Sequence, residues 1–469
     1  LATPSLHAAD LPPCPPPYGA QAGWEVSFKS ACRDAKGERA GGSQILHLVA
    51  HQGQLYAANG YWMDSNNHRH GGSDPARGWA QVLRLPGPDA AWTVDLSLGP
   101  RHMRAELLTS VTFTQDAQGR ALETPSTRLL AATFDGSGMG GVSVFMRNDE
   151  NGTWTRSAVI AGATGRRGED NSVRTALVHR DRVTGREHLF LSVGVLGLFR
   201  GEFESGAPGR LVWSSTPEWV PARTRILGLA AADGALVVSD GQRVMRRVDG
   251  PSPRYEEIAD FSRDIDEDTP RETFSAIGGI RGLTALEGPV PGRQSLLLVW
   301  HSGRLARGCV FRLDPTPAGP WTRQREICLA DLVSARLGLP VDFVIGAYNH
   351  FVALPSSAGL THLAGVQAFV SGRRSASVTA PNQRRSVGGY YAGAHLALRD
   401  TRGQWRLSEV NGRFAAGGQP LVAAYTATRS PFEGRDSNRL YVGGYDPNFF
   451  PSTDTGWVYR IDVEGLLGP

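Results

Sequence analysis

Polar turns alternate with short apolar runs along the whole chain, and one phrase keeps returning: a polar turn, then an aromatic residue opening a strand-like stretch. It reads Trp24-Glu-Val-Ser-Phe, Trp92-Thr-Val-Asp-Leu, Trp154-Thr-Arg-Ser-Ala-Val, Trp213-Ser-Ser, Tyr255-Glu-Glu-Ile, Trp321-Thr-Arg-Gln-Arg-Glu-Ile and Trp405-Arg-Leu-Ser-Glu-Val. Further strand-like runs lie between these phrases. The first in each unit is apolar and rich in small or β-branched residues, as suits strands packed on both faces: 45–50, 107–112, 173–178, 226–231, 281–286, 343–347 and 421–425. Second runs follow (129–134 and 296–300 among them), then third runs such as 142–146, 310–313 and 457–461.

Repeats of short strands and turns are how a radial β-architecture is written in sequence. The expected fold is all-β, a seven-bladed β-propeller of four-stranded antiparallel blades. The last unit stops after its third strand, and the missing outer strand stands at the other end of the chain, as 24–28. An N-terminal strand completing the final blade closes the ring and removes exposed sheet edges. Residues 1–23 then form a Pro-rich N-terminal segment and 24–469 a single propeller domain, with one short helix expected over 329–337 between blades five and six.

Composition changes this picture in three respects. With 57 Gly, 30 Pro and 41% apolar residues the chain is turn-rich, and no apolar run approaches the roughly 18 residues that span a membrane. The net charge of +4 is spread out, without the dense basic tract that nucleic-acid binding needs, so a small-molecule or glycan partner is expected, and a monomer. The four cysteines fall into two sequence-local pairs. Cys309 and Cys328 flank a hairpin that sets them opposite each other, and Cys14 and Cys32 bracket the first strand; this spacing suits disulfides rather than zinc. A chain starting at Leu1, without Met, and continuing Pro-rich reads as an exported bacterial protein, secreted or periplasmic, whose signal has been removed.

Two constellations carry candidate chemistry. In a propeller, loops from second to third strands share a face with those joining one blade to the next. Two second-to-third loops, 61–77 and 445–455, are unusually long and belong to blades one and seven, neighbours in a closed ring. They bring Asp64, His68 and His70 towards Tyr445 and Asp446 as acid–base candidates, and the same donors suit calcium or a transition metal as cofactor. The second constellation is Arg104, Arg174, Arg225 and Arg281, each at or just before an inner strand. Together they make a partial ring of guanidinium groups matched to carboxylate or sulfate; each could equally tie down a neighbouring loop.

The segment Asn148-Asp-Glu-Asn-Gly-Thr-Trp154 resembles the Asp-box turn of sialidase-like propellers, and Asp400-Thr-Arg-Gly-Gln-Trp405 is a looser echo. The resemblance covers a few residues in each blade. It implies the fold, since in that family the turn is structural and lies away from the active site. The architecture is also similar to seven-bladed polysaccharide lyases, and that analogy implies Tyr445 and His68 as base and acid with an arginine on a uronate.

The leading expectation is an exported propeller that binds an anionic or polyhydroxylated ligand, a carbohydrate, on the blade 1/7 face, as a polysaccharide lyase or glycosidase if it is an enzyme. The alternatives are a non-catalytic propeller binding a protein or matrix component, and a metal-dependent hydrolase or oxidoreductase.

Overall fold

The computed structural model describes residues 11–19, 22–62, 79–99, 102–134, 141–162, 171–221, 225–264, 278–303, 306–317, 319–356, 359–371, 389–410, 422–446 and 454–468. Seven four-stranded antiparallel blades follow one another around a ring. Their inner strands are Gln44–His51, Leu107–Gln115, Val173–Arg180, Gly228–Ala232, Gly279–Glu287, Phe343–Gly346 and Val422–Arg429. Inner and second strands are the most apolar and carry most of the buried side chains, because they are covered by sheets on both sides.

Blade 7 closes the ring. Its strands Val422–Arg429, Arg439–Tyr445 and Trp457–Asp462 are completed by Glu25–Lys29 from the N-terminus, and Tyr18–Gly19 adds a short fifth rung. The Cys14–Cys32 disulfide fastens the chain on either side of that closing strand, and Cys309–Cys328 joins directly opposed residues of blade 5. The helix Leu329–Leu337 sits between blades 5 and 6, with Leu329, Ala330 and Val333 buried. Among the described residues no helix is long and apolar enough to cross a membrane.

The recurrent aromatic phrase is the device that joins blades. The aromatic residues stand at the start of the outer strands, except Trp213, which ends its own, and most donate a hydrogen bond to the outer strand of the preceding blade or the segment just after it. Trp92 Nε1 donates to Ser27 (3.0 Å), Trp154 Nε1 to Asp95 (2.8 Å), Trp213 Nε1 to Ser157 (3.3 Å), Tyr255 Oη to Glu218 (2.7 Å) and Trp405 Nε1 to Glu326 (2.9 Å). In blades 2, 4 and 6 a buried or nearly buried arginine lies opposite the aromatic in the ladder and shares its carboxylate: Arg147 with Asp95 (2.8 Å), Arg247 with Glu218 (2.7 Å) and Arg399 with Glu326 (2.7 Å). The chain is therefore clasped most strongly in the pairs 1/2, 3/4 and 5/6.

Blade 6 departs from the plan. Its inner strand is broken, and both halves, Phe343–Gly346 and Val352–Ser356, pair with one long second strand, Gly359–Ser371. The interruption, 347–351, enters the central channel. Asn349 Nδ2 donates to the Leu46 carbonyl of blade 1 (2.6 Å), and the Phe351 amide donates to Thr284 of blade 5 (3.2 Å).

Candidate active site at the channel mouth

Arg104 and Arg225 stand just ahead of the inner strands of blades 2 and 4, while Arg174 and Arg281 are early residues of those of blades 3 and 5. The structure brings all four together. They gather around Tyr348, the tip of the blade 6 interruption. Arg104 Nη1 donates to the Tyr348 hydroxyl (3.2 Å), and the guanidinium carbons of Arg174 and Arg281 lie 4.5 Å and 5.1 Å from its ring centre. Arg225 Nη1 donates to Ser172 (3.1 Å). Tyr425 of blade 7 stacks on Tyr348 with ring centres 4.2 Å apart and planes 8° from parallel, and Trp62 of blade 1 covers Arg104 at 4.5 Å.

Irregular backbone aims these side chains inward. The pairing slips at Val173/Ala176 beside Arg174, at Arg281/Thr284 and around Ala424/Thr426 beside Tyr425; such bulges re-aim side chains next to sites. Gly282 (φ 66°) has no room for a side chain, since a Cβ there would fall 2.4 Å from that of Ala347. Ala347 (φ 46°) and Ala423 (φ 56°), flanking the tyrosines, sit in the left-handed region that costs an alanine free energy. Irregular backbone from blades 3, 5, 6 and 7 thus meets at one spot, as it does at functional sites.

The electrostatics are those of guanidinium groups crowded together. Among the described residues the carboxylate in this ring is Glu106, 1% exposed, with Oε1 2.5 Å from Arg104 Nε and Oε2 3.7 Å from Arg174 Nε. Burial lowers the pKa of Arg104, but Glu106 and Tyr348 outweigh it and hold the guanidinium above its ordinary value. Arg225 and Arg281 fare differently. Burial first, then Arg174 and Arg281, brings Arg225 down to about 9, and burial first, then Arg174, brings Arg281 down to about 10. A guanidinium still keeps its proton at neutral pH. The downward shifts therefore mark positive charge crowded into a place that water barely reaches.

The same field acts on Tyr348. Burial opposes its ionisation, yet the guanidiniums of Arg174, Arg104 and Arg281 prevail and bring the phenol down to about 8. Its stacking partner Tyr425 is moved the opposite way, by burial and by Tyr348 itself. His47 donates from Nε2 to the Glu106 carbonyl (2.8 Å) and is held by burial near 3, so it adds no positive charge.

The other candidates lie at the border of this ring or away from it. Tyr445 is 3% exposed, shares a hydroxyl–hydroxyl hydrogen bond with Tyr425 (2.9 Å), and has its pKa pushed well up by burial and by Tyr425. Asp446 follows it, half-buried, at the end of the described part of that loop. Asp64, His68 and His70 lie outside the described residues. At the far end of the blade 7 loop, Asp454 pairs with Arg39 and accepts from the Gly42 amide (3.1 Å), which anchors the N-terminal segment. Among the described residues no group of three or more His, Cys, Asp or Glu is gathered to hold a metal ion. Sequence reasoning missed Glu106, Tyr348 and Tyr425. Glu106 had a signal, an acidic residue two places after Arg104 at the head of an inner strand.

Neither a protein-family model nor a curated protein sequence matches the chain. Solved structures do. An α-L-arabinofuranosidase of Fusarium graminearum, with an iminosugar inhibitor, is 10% identical at a TM-score of 0.41, covering 91% of this chain and 95% of its own. A gluconolactonase of Xanthomonas campestris is 12% identical at 0.37 over 98% of both chains. The Aleuria aurantia lectin with α-methyl-L-fucoside is 12% identical at 0.36, covering 78% of this chain and 95% of its own. Two of these neighbours are enzymes and one is a lectin; the propeller of this chain is established by its own strand pairing.

Proposed function

We propose that this is an exported propeller whose channel mouth binds a carboxylate- or sulfate-bearing polyhydroxylated ligand, a sugar acid or a glycan containing one. One observation carries the reading: guanidinium groups from four successive blades converge with Glu106 beside a stacked tyrosine pair and an indole. Guanidiniums match carboxylate and sulfate oxygens in bidentate fashion, and the attraction is strongest where water is excluded. Tyr348, Tyr425 and Trp62 offer flat faces for the C–H side of a sugar ring.

A second reading, cleavage by proton transfer, is favoured by Tyr348, whose phenol is brought towards neutrality beside the anion-binding groups. Both long loops leave from the ring: that of blade 1 begins at Trp62, over Arg104, and that of blade 7 at Tyr445 and Asp446, against Tyr425. In this reading His68, His70, Asp64 and Asp446 supply the complementary acid or base, and Tyr445 holds Tyr425 in place.

Calorimetry with glucuronate and galacturonate oligomers, sulfated sugars and their neutral counterparts tests the binding. Acidic sugars should bind, neutral ones should not, and Arg174→Gln should weaken binding at least about tenfold, the loss of one charge-assisted pair. Equal binding of the neutral counterparts, or none of the acidic ones, would rule the reading out. For cleavage, the double variant His68→Ala, His70→Ala should bind as before while product formation stops.

A further inference from the structure

The inter-blade bond of the aromatic phrase has a sequence rule behind it. Ser27, Asp95 and Ser157, which accept from Trp92, Trp154 and Trp213, each stand three residues after an outer-strand aromatic, at Trp24, Trp92 and Trp154. Glu218 and Glu326 serve the same purpose two residues further on. At the joint between blades 4 and 5 the rule fails. The residue three places after Tyr255 is Ile258, which has no acceptor, and Asp260, two further, takes the Ser262 amide (2.7 Å). Trp321 of blade 5 is the outer-strand aromatic that, among the described residues, neither makes an inter-blade hydrogen bond nor is buried. Its indole lines a groove of about 430 Å3 with Arg182, Asp233, Arg246 and Arg293. Arg182, Asp233 and Arg293 sit on or beside the turns that join inner to second strands, so the groove opens on the face away from the arginine ring.

Charge here is balanced. Arg182 pairs with Asp249 (2.9 Å), Arg246 with Glu256 (2.8 Å) and Arg293 with Asp233 (2.5 Å). An anion would gain little from guanidiniums that are already paired. A neutral ligand with hydroxyls could take up their remaining N–H groups and the carboxylate oxygens, while a C–H face rests on the indole and Nε1–H finds an acceptor. We infer that the groove between blades 4 and 5 is a second binding site, for a neutral pyranose unit, built around Trp321, Asp233 and Arg293. It is independent of the channel mouth, and on a glycan of mixed charge the two faces would recognise different residues.

The test uses the full chain and a panel of neutral methyl pyranosides, with methyl glucuronide for comparison, read by indole fluorescence and by the Trp321 Nε1–H resonance. Neutral glycosides should shift that resonance saturably. Arg293→Gln should weaken the response at least about tenfold, and Arg174→Gln at the channel mouth should leave it unchanged. Ile258→Ser should restore the acceptor, draw the indole into the blade joint, leave a cooperatively melting protein despite the apolar packing it gives up, and abolish the response. The inference is overturned if no neutral glycoside gives a saturable shift, if the response is confined to the glucuronide, or if it survives Ile258→Ser and Arg293→Gln in a folded protein.

Discussion

Tyr348 shows how a single side chain can be governed by a whole ring. A phenol ordinarily titrates near 10. Here burial resists ionisation and three guanidiniums drive it, bringing Tyr348 down to about 8. The lowered value implies a stabilising contribution from the phenolate that is complete above about 10 and is lost as pH falls through about 8. Ionised Tyr348 also neutralises part of the cluster, so affinity for an anionic ligand should fall as pH rises through that same value. Phenolate absorbance followed with pH should show a step near 8 that Tyr348→Phe removes, and calorimetry on either side of the step should show the loss of affinity. The four arginines were legible in the sequence because each stands at the head of an inner strand, where every blade points into the channel. Tyr348 was not, because it stands past the last residue of its strand segment and reaches the channel through a break that no local pattern announces.

At the scale of elements, the aromatic phrase was visible as a repeat but its job was not. Trp92-Thr-Val-Asp95 looks like any strand opening; only the stacked blades reveal that Asp95 receives Trp154 and Arg147 from the next blade. The clasps are of two strengths. Asp95→Asn removes a charge partner of the buried Arg147 and should cost about 3 kcal/mol. Ser27→Ala removes a neutral acceptor of Trp92 and should cost about 1 kcal/mol. Denaturant unfolding of the two variants measures the difference, and similar losses would mean that packing, not the ionic clasp, holds these joints. Strand pairing, both disulfides and the helix at 329–337 were readable because they depend on local alternation, spacing and turns; the acceptors were not, because they depend on contacts between blades.

At the scale of the molecule, closure depends on the first thirty residues. Glu25–Lys29 pairs with Trp457–Asp462, Glu25 binds Arg460 (2.7 Å) and Arg439 (2.6 Å), and Trp24 is buried. Removing residues 1–30 should leave blade 7 with an open edge and abolish cooperative unfolding, as followed by circular dichroism on heating; a truncated chain that melts like the intact one would refute this closure. A closed ring also has a property that an open array lacks: an outward push inside it must be borne by every joint, and the weakest one yields first. Arg225 and Arg281, whose guanidiniums repel each other, stand on blades 4 and 5, on either side of the joint where Ile258 leaves Trp321 unclasped. An anion bridging the two arginines would remove part of that outward load and act as a tie across a hoop, tightening the circumference as it binds.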